Sequence, residues 1–291
     1  MTWVVLGLLA AVLIVAMLLL QEHLKVDGFA LAFWCKVATA LTTLPFVIYY
    51  GLPSNPVFYA WLAPQALMYT VADVVLFRNL PVVGAAVVSR LLPATVVTSF
   101  FLWFAVAPSE LHLYAENPVI SLMIAVVLCG AAFFSSRLKK CAVSMRAVRL
   151  LWFVLLANTL SPILAKITTR YASTMQGAFG FTFAEALMMV AVWLAWLFVA
   201  KPIPVKKLLA KDTILKSMLV GSVTSTMVVI IVASYYFIDN PGYVSALQLV
   251  YAVMIMGVHK WMGKKDESDV VAGLGIVACA MALIVLKAHL E

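Results

Sequence analysis

Ten apolar runs of membrane length leave this chain almost no alternative to a helical bundle in lipid. They lie near residues 3–21, 28–50, 57–76, 82–104, 118–135, 150–168, 178–200, 217–236, 242–259 and 270–287, with short stretches between them. About twenty apolar residues cross a hydrocarbon core of about 30 Å as an α-helix. Within that core every backbone N–H and C=O must find its partner inside the protein, which a helix achieves by itself. The composition agrees: 65% of the residues are hydrophobic and 11% charged, against roughly 45–50% and about 25% in soluble domains. The apolar run after Met1 has no basic segment before it and is long enough to stay in the membrane, so no cleaved signal peptide is expected.

Two stretches of the chain read alike. Phe77-Arg78-Asn79-Leu80-Pro81 and Phe237-Ile238-Asp239-Asn240-Pro241 each follow one apolar run and lead into the next. A proline after a helix end suits the start of a new helix, so both copies predict a helical hairpin. The register continues downstream, with Val126-Val127-Leu128-Cys129-Gly130-Ala131-Ala132 against Ile276-Val277-Ala278-Cys279-Ala280-Met281-Ala282. Ten spans then divide into two sets of five. Because five is odd, the second set enters the membrane in the opposite orientation. The expected fold is an all-α membrane protein of ten transmembrane helices in two inverted five-helix repeats, residues 1–148 and 149–291, forming one integral membrane domain. An internal repeat of this kind points to a transporter with its site where the halves meet.

The net charge of +8 is no sign of nucleic acid, because of where the charges fall. Most Lys and Arg lie in the odd-numbered loops, including Arg137, Arg149, Lys206, Lys207, Lys211, Lys216 and Lys260, while Arg170 and Lys287 lie on the other side. Short loops rich in Lys and Arg stay cytoplasmic. Both termini are therefore expected to be extracytoplasmic, in a multi-pass protein of a bacterial inner membrane whose basic face meets membrane lipids. The four cysteines, Cys35, Cys129, Cys141 and Cys279, are scattered and form no metal-ligand spacing. No phosphate-cradling glycine motif is present, so neither a cofactor, a metal nor an enzymatic activity is expected.

With hairpins at Ala72–Phe104 and Ala233–Trp261 and short fifth and tenth spans, the chain resembles the drug/metabolite transporter superfamily, and most of all its ten-helix EamA-type members. The resemblance implies a central cavity lined by helices of both halves, with the fifth and tenth helices at the edge. Gly130, Gly273 and Gly275 suit close helix approach at that edge.

Ionisable groups deep in apolar runs are costly, about 2.5–3.5 kcal/mol each at a helix centre, and they face a cavity or a partner. Lys36, Arg90 and Glu185 lie near the midplane, and Asp73 lies nearer one end of its span. Lys36 and Glu185 occupy nearly equivalent places in the second and seventh spans. They are expected either to bind substrate, with Lys36 and Arg90 on an anionic group and Glu185 on an ammonium or a coupling proton, or to pair with each other and lock the halves together. Asp73 is expected near Arg90 or at a solvated helix end, and Lys166 is expected to snorkel to water. Neutral polar groups add candidate contacts: Gln65, Asn158, Ser161, Thr224, Ser225, Gln248 and Tyr251. Asn158 and Ser161 precede Pro162, which frees backbone carbonyls. Trp34 and Trp103 are expected to line the cavity or an interfacial belt.

The expected function is secondary transport of a small polar or charged metabolite, amino-acid-like or an organic anion, by alternating access. The alternative is a flippase for a lipid-linked phosphate headgroup, such as a polyprenyl-phosphate sugar or a phospholipid. A membrane scaffold is a third possibility, which the repeat and the midplane charges disfavour.

Overall fold

The computed structural model describes residues 1–24, 26–83, 85–137, 145–200, 203–263 and 269–290; side chains at 22, 80–83, 85–90, 92 and 145–147 lie outside the described set. Among the described residues there are helices and no strands: α1 (Thr2–Leu24), α2 (Gly28–Tyr50), α3 (Pro56–Val83), α4 (Ala85–Val106), α5 (Leu111–Glu116), α6 (Pro118–Arg137), α7 (Met145–Thr169), α8 (Thr174–Ala200), α9 (Val205–Leu208), α10 (Lys211–Ser234), α11 (Gly242–Gln248), α12 (Val250–Trp261) and α13 (Val270–Leu290). Nine spans among the described residues are long and apolar enough to cross a membrane, α11 and α12 together counting as one. They coincide with nine of the ten expected runs. The remaining run, 82–104, falls on α4, whose described part meets Pro108–Glu116 at a bend of 100°. The protein is thus an all-α, multi-pass membrane protein.

Local chemistry sets the helix ends. Asp27 accepts hydrogen bonds from the N–H groups of Phe29 and Ala30 at the start of α2, and Asp269 does the same for Val271 and Ala272 at the start of α13. Each aspartate satisfies orphan amides of a first turn. Gly51 ends α2 at φ 79°, a conformation that a side chain would strain.

The two hairpin motifs behave differently from their shared expectation. In the second, α10 passes through a 3-10 turn at Tyr235–Phe237 into an extended Ile238, and Pro241 leads into α11 as anticipated. In the first, α3 continues past Pro81 to Val83. Pro81 lies in the last turn, where the orphan groups are carbonyls and not N–H groups, so it forgoes the hydrogen bond to the Phe77 carbonyl. The ninth span is also not one helix, since α11 and α12 meet at Leu249, which forms tight turns with Ala246 and Ala252.

Close approach of backbones holds the bundle. Helix α2 packs on α8 and α10, α3 on α7 and α8, α1 on α10 and on α11–α12, α4 on α6, α7 and α11, and α6 on α13. A Cβ at Gly221 of α10 would lie 2.5 Å from the carbonyl oxygen of Cys35 and 2.7 Å from Ala38 Cβ, so only glycine permits the crossing with α2. A Cβ at Gly242 would meet Phe100 at 2.8 Å, and one at Gly275 would meet the Phe134 ring at 2.6 Å. Gly130 faces Cys279 across the α6–α13 contact, the close approach anticipated for small residues there.

Hydroxyls along α2 turn back on their own helix. Thr39 donates to the Cys35 carbonyl, Thr42 to Ala38 and Thr43 to Thr39. Of these, Thr42 alone also reaches across, to Ser225 of α10 at 2.8 Å.

Candidate functional site

Lys36 lies eight residues into α2, about 12 Å along its axis, and Glu185 lies eleven residues into α8, about 16 Å along its axis, entering from the opposite end of the bundle. Where α2 crosses α8 the two meet: Lys36 Nζ stands 3.3 Å from Glu185 Oε2, with their side chains 9% and 5% exposed. The other carboxylate oxygen, Oε1, accepts a hydrogen bond from Gln65 Nε2 of α3 at 3.2 Å. Gln65 Nε2 also donates to Ser161 Oγ of α7 at 3.3 Å. Four helices, α2, α3, α7 and α8, thus converge on one buried polar cluster. An ion pair at this depth is tolerable because each partner neutralises the other, whereas either alone would be an uncompensated charge in an apolar setting.

Both oxygens of Glu185 are occupied. This is the mutually paired arrangement weighed in the sequence as the alternative to a Glu185 that binds an ammonium or a coupling proton. The Glu185 contact also fixes the orientation of the Gln65 amide, because only its NH2 group can face an ionised carboxylate. Gln65 Oε1 consequently points elsewhere and is buried without a hydrogen-bond donor among the described residues.

Asp73 belongs to the same cluster. It is half-buried and lies within electrostatic reach of both Lys36 and Glu185. Among the described residues it makes no hydrogen bond or ion pair. The expected pairing with Arg90 involves a side chain that lies outside the described residues. Tyr69, within side-chain hydrogen-bonding range of Ser161, completes the set. Tyr69 is a site residue absent from the sequence candidates, although its spacing marks it: Gln65, Tyr69 and Asp73 stand at i, i+4 and i+8, one polar stripe along α3.

The remaining candidates are not joined to this cluster by any hydrogen bond among the described residues. Asn158 donates to the Val154 carbonyl of its own helix. Gln248 ends α11 with its Nε2 buried and without a partner, and Tyr251 is buried in the apolar core of α1, α4 and α11–α13. Ser225 receives the Thr42 hydroxyl, and Thr224 turns back to the Val220 carbonyl. The two tryptophans serve the ends of the bundle: Trp34 Nε1 donates to the Leu208 carbonyl, and Trp103 Nε1 to Glu110 Oε2 at 2.6 Å.

A second group of charges lies toward the opposite end. Lys166, half-buried, donates to the Tyr235 carbonyl at 2.7 Å, supplying a donor where α10 gives way to its 3-10 turn. Lys287, 2% exposed, pairs with Asp239 at 3.5 Å and lies over the Tyr243 ring. Arg170 joins Glu110 at 3.6 Å and covers the Trp103 ring. These contacts tie helix ends to loops and leave the α2–α3–α7–α8 cluster as the candidate site. Neither a scan against protein-family models nor a search of curated proteins finds a match for the chain.

Proposed function

We propose that this protein is a secondary transporter, of the ten-helix kind found in the drug/metabolite transporter superfamily, that carries a small polar or charged metabolite across a bacterial inner membrane by alternating access. The observation that carries the proposal is the buried Lys36–Glu185 pair with Gln65 and Ser161. A polar cluster at this depth, drawn from α2 and α3 on one side and α7 and α8 on the other, is the usual setting of a carrier's substrate site.

The helix contacts support two inverted repeats. Counting α11–α12 as one span, exchange of each span with the one five positions along maps α1 on α10 to α7 on α3, and α2 on α10 to α8 on α3. It also maps α1 on α11–α12 to α7 on α4, and α4 on α6 to α12 on α13. The pairs α2 on α8, α4 on α11 and α6 on α13 return to themselves. Rocking of one half against the other would then expose the cluster to each side in turn. The bias of Lys and Arg toward odd loops supports extracytoplasmic termini.

The test is reconstitution. Purified protein is first screened for thermal stabilisation by water-soluble metabolites and by lipid phosphates, since a specific ligand shifts the midpoint by mass action. Solutes that stabilise it are then tested for uptake into proteoliposomes. Saturable uptake by the wild type, lost in Lys36→Met with the fold retained, is expected. Movement of lipid phosphates with no solute uptake would replace the carrier by the flippase.

A further inference from the structure

Among the described residues, the charges of the candidate site do not balance: it holds one cation, Lys36, against two carboxylates, Glu185 and Asp73. Lys36 is engaged at 3.3 Å by Glu185, whose second oxygen is taken by Gln65. Among the described residues Asp73 is left with neither hydrogen bond nor ion pair, and it is half-buried. On the same stripe of α3, Gln65 is 3% exposed and its Oε1 is an acceptor without a donor.

Both unmade contacts are of one chemical kind. An ionised carboxylate and an amide oxygen accept hydrogen bonds and donate none, so whatever completes the site brings donors, and at Asp73 it brings positive charge. We propose that the site binds an organic ammonium: its N–H groups meet Asp73, and a second donor farther along the ligand meets Gln65 Oε1. The acceptors stand eight residues apart on α3, about 12 Å of helix rise, so the ligand is elongated along that helix. A proton on Asp73 alone would supply the charge but would leave Gln65 Oε1 unsatisfied at that separation. The proposal rests on the transporter reading for its biological role and names the substrate class of the same site.

The experiment separates the two. Full-length protein in lipid nanodiscs is titrated with ethanolamine and its longer homologues up to aminooctanol. The controls are alkylammonium ions of matching length, tetramethylammonium, sodium propionate and inorganic phosphate, with the thermal midpoint and calorimetric Kd read in each case. Primary ammonium ions should stabilise the wild type while tetramethylammonium, propionate and phosphate do not. The terminal hydroxyl should add affinity only in the longer homologues. Asp73→Asn should weaken ammonium binding by about thirtyfold or more, as removal of one partner of a buried charge pair does. Gln65→Leu should abolish only the advantage of the hydroxyl. Stabilisation by propionate or phosphate in place of ammonium would overturn the substrate class and leave the carrier standing, and the absence of any ammonium effect would overturn it as well. If Asp73→Asn fails to fold, the selectivity of the wild type decides alone. Radiolabelled ethanolamine in proteoliposomes tests the other half: binding without uptake would retain the ammonium site and remove the carrier.

Discussion

Replacing Lys36 should destabilise the protein more than replacing Glu185, even though the two form one ion pair. In Lys36→Met the cation that faces both Glu185 and Asp73 is gone, and two carboxylates remain with no other cation of the cluster among the described residues. Loss of one partner from a buried pair costs about 3–5 kcal/mol, and a second stranded carboxylate places this variant at the upper end. In Glu185→Gln, Lys36 keeps Asp73 as a compensating charge within electrostatic reach. The loss is then closer to that of a hydrogen bond to a charged group, about 1.5–3 kcal/mol. Unfolding in mixed micelles, titrated with SDS and followed by the fluorescence of the buried Trp103 and Trp193, gives the two free energies, and the double variant closes a cycle for the coupling. If Glu185→Gln were as costly as Lys36→Met, or costlier, Asp73 would not be sharing the cation.

Three further outcomes are expected. Gly221→Ala should cost about 1–3 kcal/mol, as overpacking does, because its Cβ meets backbone at Cys35; an unchanged unfolding midpoint would show that α2 and α10 can part freely. Asn240→Ala should cost about 1–3 kcal/mol, since buried Asn240 donates to the Phe100 carbonyl and accepts from the Gly242 N–H. Equal stability of the two proteins would refute a clamping role. A reporter fused after Glu291 should show an extracytoplasmic C-terminus, and a cytoplasmic signal would reverse the side of every loop.

How much of this was legible in the sequence differs from element to element. The spans were, because apolar length is itself the physical requirement for crossing a bilayer. The Lys36–Glu185 pair was also legible, since a charge in an apolar run must have a partner and the mirrored places of these two suggested which. Their pairing, as against substrate binding, depended on how closely α2 and α8 cross, and that distance is set by packing. The place of Asp73 beside Lys36 and Glu185 was not legible, because linear position along α3 says nothing of the helix it faces. The break at Leu249 and the passage of α3 through Pro81 were illegible for a related reason: proline biases a helix end, whereas the surrounding helices decide whether the chain turns there. Tyr69 is a different kind of miss, because its spacing from Gln65 and Asp73 was present in the sequence and only its aromatic character disguised it.

The back-bonded hydroxyls of α2 bear on how the bundle can move. A helix whose threonines are satisfied by its own carbonyls exposes no unmet donor when its neighbour withdraws, so it behaves like a greased shaft. Of the threonine contacts described for α2, sliding past α10 breaks only that between Thr42 and Ser225, a loss of about 0.5–1.5 kcal/mol. Resistance to the motion then comes from shape, at the notch where Gly221 admits the backbone of α2. Friction of that origin is short in range and vanishes after a small displacement, which would suit the rocking of the proposed carrier.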